Sequence, residues 1–79
     1  MVLGVTLVKV VPGQERSVFD ALTSVTGIRE LQHVFGEYDF LVILDVEGLR
    51  LLSATVDKIR DINGVATTKT VIGAELADS

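Results

Sequence analysis

The chain has 79 residues and a mass of 8.5 kDa, the size of one small domain, and we expect residues 1–79 to form a single domain. Apolar residues make up 48% of the sequence and charged residues 23%, which excludes a disordered chain. The absence of cysteine excludes disulfides and thiolate metal sites. The net charge of −4 argues against a direct nucleic-acid-binding surface, which needs a basic stripe.

The N-terminus gives no sign of a targeting segment. It is apolar, but no basic segment precedes it and no small-residue cleavage site follows it, as a signal peptide would require. The longest apolar stretches are interrupted by Lys9, Asp39 and Asp45, and none approaches the roughly 20 residues needed to span a bilayer. We therefore expect a cytoplasmic protein with no membrane partner.

The first half of the chain has the pattern of strand, helix, strand. Residues 2–11 are dense in β-branched side chains and stop at Pro12-Gly13, which predicts a strand ended by a turn. Residues 14–25 form the predicted first helix, with Gly27 in the C′ position that ends it. Residues 28–35 are a second strand of mixed polarity. The apolar stripe of the helix consists of Val18, Phe19, Leu22 and Val25.

The second half repeats this pattern after a turn at Gly36-Glu37-Tyr38-Asp39. Residues 40–47 are a third strand, and the short connection predicts an antiparallel hairpin with the second strand. Gly48 opens a second helix, which Asn63-Gly64 closes. Residues 65–72 make the fourth strand. The apolar stripe of this helix consists of Leu49, Leu52, Val56 and Ile59.

This order of elements predicts an α+β fold, the ferredoxin-like βαββαβ sandwich. Its antiparallel four-stranded sheet has the order 4-1-3-2, with both helices on one face. The first strand has apolar residues on both faces, with Leu3, Val5 and Leu7 on one of them. In the third strand, Leu41 and Ile43 likewise point away from its other apolar residues, so the face away from the helices is also apolar in its middle. An apolar second face of this kind predicts dimerisation through the sheet.

No catalytic constellation is recognisable in the sequence. The four serines lie in no nucleophile motif, and the glycines match neither a phosphate loop nor a dinucleotide fingerprint. His33 is the only histidine and cannot build a transition-metal site within one chain, so we expect a structural or interface role for it. Asp45 and Glu47 share a face of the third strand, where carboxylates are commonly solvated or matched across strands. We expect no enzyme activity, no metal and no cofactor.

The best candidate site is the turn Gly36-Glu37-Tyr38-Asp39. Gly36 permits a positive φ and a close approach, and Tyr38 offers an aromatic wall with a hydroxyl. The Asp39 carboxylate beside exposed turn amides suits a zwitterion such as a free amino acid. The alternative is a tight hairpin in which Asp39 satisfies its own backbone as an Asx-turn. From the residues alone, that alternative is favoured.

Three segments of the chain follow a known family pattern. Residues 34–41 contain a G-x-Y-D hairpin turn. Residues 62–70 are similar to a P-G-V-x-x-T-x-T entry into a last strand, with Asn63 where a proline is common. Residues 11–15 are similar to a first strand-to-helix corner. In this order they resemble, over about residues 2–72, the RAM domain (regulation of amino acid metabolism) of the Lrp/AsnC transcriptional regulators.

The resemblance implies a stand-alone RAM domain without the DNA-binding domain that full-length members carry, and hence no direct nucleic-acid partner. It implies a homo-oligomer, a dimer and then a ring of dimers such as an octamer, with a free amino acid bound between dimers. Carried over residue by residue, Gly36, Tyr38 and Asp39 form the turn side of the pocket, and Asp39 is then favoured as a ligand residue. Thr68 and Thr70 are weaker candidates for hydroxyl contacts. A full-length Lrp/AsnC regulator is a further candidate partner.

Other classes stay open at this point. Cofactor-independent enzymes of the dimeric αβ-barrel type share the fold, but they usually carry inward-pointing His, Asn, Trp or Arg, and this chain has no tryptophan. An ACT-type regulatory module has the same strand order and binds amino acids at the loop after its first strand. A purely scaffolding oligomer is a third alternative. The preferred function is an amino-acid-binding and oligomerisation module linked to regulation of transcription or of amino acid metabolism.

Overall fold

A computed structural model describes residues 1–73 of the chain. Within them the elements are β1 (Val2–Val10), α1 (Glu15–Leu22), β2 (Ile28–His33), β3 (Phe40–Val46), α2 (Leu49–Arg60) and β4 (Val65–Gly73). The strands form one antiparallel sheet in the order β2-β3-β1-β4. The ferredoxin-like βαββαβ fold and its strand order are confirmed. In this part of the chain no helix has both the length and the apolar character that a membrane crossing requires.

The core lies between the two helices and one face of the sheet. Alternate residues of each strand point to opposite faces, so every second side chain of β1 and β3 is buried beneath the helices. Both helices therefore cover the same face, as predicted. The buried apolar side chains that form this cluster are Val8, Val10, Val18, Leu22, Phe40, Val42, Leu44, Leu52, Val56 and Ile59.

Helix α1 is shorter than the sequence pattern predicts. It ends at Leu22, and Ser24 and Val25 are held instead by backbone bonds to carbonyls three residues earlier. Gly27 does not cap the helix. It has a φ of 101°, and its carbonyl accepts a hydrogen bond from the Asp45 N–H at 3.0 Å, which ties the start of β2 to β3. The predicted C′ role of Gly27 is wrong because its positive φ serves the sheet and not the helix end.

Two apolar side chains assigned to the helix stripes lie at the surface. Leu49 is 61% exposed and Phe19 is 39% exposed, although the Phe19 ring still rests on Phe40 with a centroid distance of 5.9 Å. The buried side of α2 includes a polar residue, Thr55, which the predicted apolar stripe did not contain. Its hydroxyl donates to the Leu51 carbonyl at 2.8 Å, so burial of this polar group leaves no bond unmade.

The face of the sheet away from the helices is apolar in its middle, as predicted. Val5 lies opposite Ile43 on one side and opposite Val71 on the other, and Leu7 lies opposite Leu41. Val71 is 56% exposed, and no element among residues 1–73 covers this face. We call it the open face of the sheet.

The entry into β4 depends on Gly64. Its carbonyl accepts a hydrogen bond from the Val11 N–H at 2.8 Å, and its φ is 102°. A Cβ at this position would lie 2.9 Å from both Gln14 Cβ and Val18 Cγ2, so the corner before α1 packs directly on this backbone. Only glycine satisfies both the conformation and the close approach.

Candidate functional site

The turn between β2 and β3 carries three of the predicted site residues. Gly36 has a φ of 117°, and an added Cβ would meet nothing within 4 Å, so glycine is needed here for conformation and not for space. Tyr38 and Asp39 are both half-buried. The turn therefore presents backbone, a phenol and a carboxylate close together in the chain.

Asp39 fastens this turn to the rest of the sheet. Its N–H donates to the Val8 carbonyl at 2.8 Å, and its own carbonyl accepts from the Val34 N–H at 2.9 Å. Its Oδ2 atom accepts a hydrogen bond from the Val10 N–H at 2.8 Å. The carboxylate thus bonds to β1 and not to its own turn, which differs from the predicted Asx-turn. A carboxylate accepts several hydrogen bonds, so Oδ1 keeps the capacity to bind a cation.

A cleft of about 480 Å³ lies between α2 and β4. Thr68 and Thr70 line it, because they lie opposite Val8 and Thr6 of β1 and share the helix-covered face with them. The hydroxyl oxygens of Thr70 and Thr6 are 2.9 Å apart, and Thr6 is fully buried. The residues that line the cleft are Val56, Arg60, Val65, Ala66, Thr67, Thr68 and Thr70.

Arg60 is the residue at this cleft that the sequence analysis missed. Helical periodicity places it opposite the apolar stripe of α2, and its side chain is 58% exposed. Its Nη2 atom donates to Asp57 Oδ1 at 3.0 Å, one helical turn earlier, which holds the guanidinium near the end of α2. A guanidinium recognises carboxylates through two parallel N–H groups. The signal that could have found it is a basic residue in the last turn of the helix that leads into β4.

The five predicted site residues do not come together within one chain. Thr68 and Thr70 line the cleft between α2 and β4, whereas Gly36, Tyr38 and Asp39 are absent from its lining. Strand β1 separates the two groups, since it lies between β3 and β4 in the sheet. Two strand spacings amount to about 9.6 Å. The two groups of predicted site residues thus lie apart on one chain, with β1 between them.

His33 lies in a row of aromatic rings at the edge of the sheet. Its ring centroid is 5.1 Å from that of Phe40 and 5.5 Å from that of Phe35, which is 94% exposed. A second cleft of about 410 Å³ lies against Phe19, His33 and Phe40. Among residues 1–73, no group of three His, Cys, Asp or Glu side chains is placed to hold a metal ion.

The carboxylates of the third strand show no shared site. Asp45 Oδ2 lies 3.6 Å from Arg29 Nη1 of the neighbouring strand, so this carboxylate is matched across strands. Glu47 is exposed and lies beyond the end of β3. The arrangement is that of a structural ion pair on a sheet.

Solved structures share this fold over nearly the whole chain. FFRP-DM1 is 31% identical, with a TM-score of 0.87, and the match covers 94% of this chain and 100% of that one. A hypothetical protein from Pyrococcus horikoshii is 30% identical, with a TM-score of 0.85 and coverages of 95% and 92%. No curated protein sequence matches.

A longer relative shows the same fold as part of a larger chain. It is a transcriptional regulator from Neisseria meningitidis, solved as its L-Met complex, with 15% identity and a TM-score of 0.82. The match covers 99% of this chain but only 53% of the regulator, so this chain spans about half its length. The sequence profile of the family described as the Lrp/AsnC ligand binding domain matches residues 3–75. The chain belongs to the Lrp/AsnC ligand-binding domain family.

Proposed function

We propose that this chain is an effector-binding and oligomerisation module, which binds a free amino acid and links its level to regulation of transcription or amino acid metabolism. Membership of a ligand-binding family supports this function, as does the fold shared with a regulator solved with L-Met. The observation that carries it is the separation of the two predicted half-sites on one chain. A ligand that binds both half-sites joins two copies.

The cleft between α2 and β4 supplies one half of the proposed site. Arg60 binds the ligand carboxylate, and the hydroxyls of Thr68 and Thr70 contact its polar atoms. The volume of about 480 Å³ lies within the range of small-molecule sites. No general base is among the residues that line this cleft in the described part of the chain, so we assign it a binding role and no reaction.

The turn of a neighbouring copy supplies the other half. Asp39 binds the ligand ammonium through Oδ1 while Oδ2 stays bonded to Val10. Gly36 lets the backbone approach closely, and Tyr38 forms one wall. No metal or cofactor is required by this scheme, because the ligand carries both charges itself.

The assembly we propose is a dimer through the open face and then a ring of dimers such as an octamer. The apolar patch of Val5, Ile43 and Val71 supports the first contact. A ligand that binds only where two dimers meet favours the larger assembly by its differential affinity for the two states. A mixed assembly with a full-length Lrp/AsnC regulator in the cytoplasm then carries the signal to DNA without direct contact from this chain.

A thermal-melt screen against the twenty amino acids tests the proposed function. A ligand at about 100 times its dissociation constant adds about 2.7 kcal/mol per site. In a domain of this size that raises the melting temperature by roughly 10–20 degrees. Arg60→Gln is the binding variant and Lys58→Gln is the matched control, since Lys58 lies on the same helix but does not line the cleft. If no amino acid raises the melting temperature or changes the assembly, the effector-binding function is wrong.

A further inference from the structure

The cleft between α2 and β4 continues into a neighbouring cleft of different character, which we call the apolar cleft. Its volume is about 330 Å³, and it shares Val56 and Thr70 with the first cleft. The residues that line the apolar cleft are Leu49, Leu52, Ser53, Val56, Thr70 and Ile72. Arg60 lines the first cleft and not the apolar one. The two clefts therefore form one groove with a cationic end and an apolar end.

The strand register gives the direction of this groove. Thr68, Thr70 and Ile72 are alternate residues of β4, so they share the helix-covered face and follow one another at intervals of about 6.6 Å. Arg60, in the last turn of α2, lines the same cleft as Thr68. Leu49, the first residue of α2, lines the same cleft as Ile72. The groove thus changes along β4 from a guanidinium and hydroxyls to hydrocarbon.

The apolar cleft offers no partner for a charge. None of the residues that line it, all of them within 1–73, is charged. Its deepest residue is Leu52, which is 2% exposed and packs on the backbone of Gly4, where a Cβ would lie 2.9 Å from Leu52 Cδ1. Leu49 and Ile72 lie at its mouth and are both exposed. A hydrocarbon group bound here removes apolar surface from water, whereas a charged group loses water and gains no ion pair.

We propose that the groove selects an amino acid with an aliphatic side chain of three or four carbons, which enters the apolar cleft while the ligand carboxylate binds Arg60. This inference rests on the proposed function and adds the chemical class of the effector. One step along β4 is about 6.6 Å and a C–C bond about 1.5 Å, so a single methyl group ends beside Thr70. A side chain of three or four carbons covers that step and reaches Leu52 and Ile72.

The distribution of charge disfavours acidic and basic amino acids as effectors. Arg60 is the one charged residue among those that line the two clefts within residues 1–73, and the ligand carboxylate occupies it. The side-chain charge of glutamate or lysine would then lie at the apolar end of the groove. Burial of an ionised group without a partner is costly, so such ligands should bind more weakly than an uncharged amino acid of the same length.

A homologous series of ligands tests this inference. Isothermal titration of the full chain with L-alanine, L-2-aminobutyrate, L-norvaline and L-norleucine should show affinity rising about fourfold with each added methylene group. L-Glutamate and L-lysine should bind more weakly than L-norleucine. Affinity that does not depend on chain length, or glutamate or lysine binding as tightly as norleucine, would overturn the inference. If no amino acid of any class binds, the proposed function itself fails, so the two failures are distinguishable.

Two substitutions in the apolar cleft provide a second readout. Ile72→Lys should lower the affinity for norleucine about tenfold and raise that for glutamate about tenfold, because the new ammonium group pairs with the side-chain carboxylate. Ser53→Leu fills the cleft without a charge and should abolish the dependence on chain length while alanine still binds. Leu51→Lys is the matched control, since Leu51 is exposed on α2 and lines neither cleft. Variants at Ile72 and Ser53 that keep the wild-type preference would overturn the assignment of this cleft.

Discussion

The Asp39 carboxylate accepts a hydrogen bond from the Val10 N–H, 29 residues earlier in the chain, at 2.8 Å. This bond continues the contact between β1 and β3 beyond their last register pair, Val8 and Phe40. Asp39 therefore holds the turn in place whatever ligand the turn binds. Loss of binding on removing this side chain is not by itself evidence of a ligand contact.

Two substitutions of Asp39 separate its structural part from its ligand part. Asp39→Ala leaves the N–H of the buried Val10 unpaired and should cost about 1–3 kcal/mol of unfolding free energy. Asp39→Asn keeps an acceptor for that N–H and should cost less in urea unfolding. The same variant loses the charge that binds an ammonium group and should bind the amino acid weakly. Equal destabilisation by Asn and Ala would contradict this division.

The Thr6–Thr70 pair predicts an asymmetric response. Thr70→Val leaves the fully buried Thr6 hydroxyl without a partner, which costs about 1–3 kcal/mol. Thr6→Val leaves the Thr70 hydroxyl, which is half-buried and open to water in the cleft, so this change should cost less. Chemical denaturation of both variants and of the double variant measures the difference. Equal costs for the two single changes would show that Thr70 has no access to water.

Two glycines with similar backbone conformations should differ in their tolerance of alanine. At Gly36 an added Cβ meets open space, so the cost is conformational, about 1–2 kcal/mol. At Gly64 the conformational cost is the same, but the added Cβ would also clash with Gln14 and Val18 at 2.9 Å. Thermal unfolding should therefore show a clearly larger loss for Gly64→Ala than for Gly36→Ala. The reverse order would mean that the corner before α1 relaxes easily.

Phe35 should matter to the assembly and not to the folded chain. Its side chain is 94% exposed, so Phe35→Ser should change the free energy of unfolding of the monomer by less than about 0.5 kcal/mol. The residue adjoins the proposed ligand turn, where we propose that two dimers meet, so the same change should weaken the larger assembly in sedimentation velocity. Leu49→Ser, an exposed apolar residue on α2, is the comparison. Large assemblies unaffected by Phe35→Ser would place the dimer contact elsewhere.

The elements and their order follow from local patterns in the sequence. The 3.6-residue spacing in α2 predicts its buried face, and Leu52, Val56 and Ile59 of that stripe lie in the core. The apolar residues on both faces of β1 and β3 predict strands, but do not by themselves tell which face the helices cover. The end of α1 does not follow in the same way, because the conformation of Gly27 depends on its bond to Asp45 in another strand. The local sequence can predict that a glycine will adopt a positive φ. It does not tell whether that conformation ends a helix or connects two strands.

The candidate site is harder to predict from the sequence than the helices and strands, because tertiary contacts bring its residues together. The turn at Gly36 is visible as a sequence motif, but the bond from Asp39 to Val10 joins positions that only the folded sheet brings together. Arg60 reaches the cleft because α2 packs beside β4, and helical periodicity alone places it on the solvated face. A site shared between copies leaves no spacing pattern in one chain.

The central claim is that the amino-acid site is completed by two copies, and subunit complementation tests it most directly. Arg60→Gln damages the cleft, and Asp39→Asn damages the turn, so neither variant alone should bind the amino acid identified in the melt screen. When the two variants are co-expressed, some junctions combine an intact cleft from one copy with an intact turn from another. Isothermal titration should then recover binding in a fraction of the sites. A co-expressed mixture that binds no more than either variant would show that both residues act within one chain, or not at all.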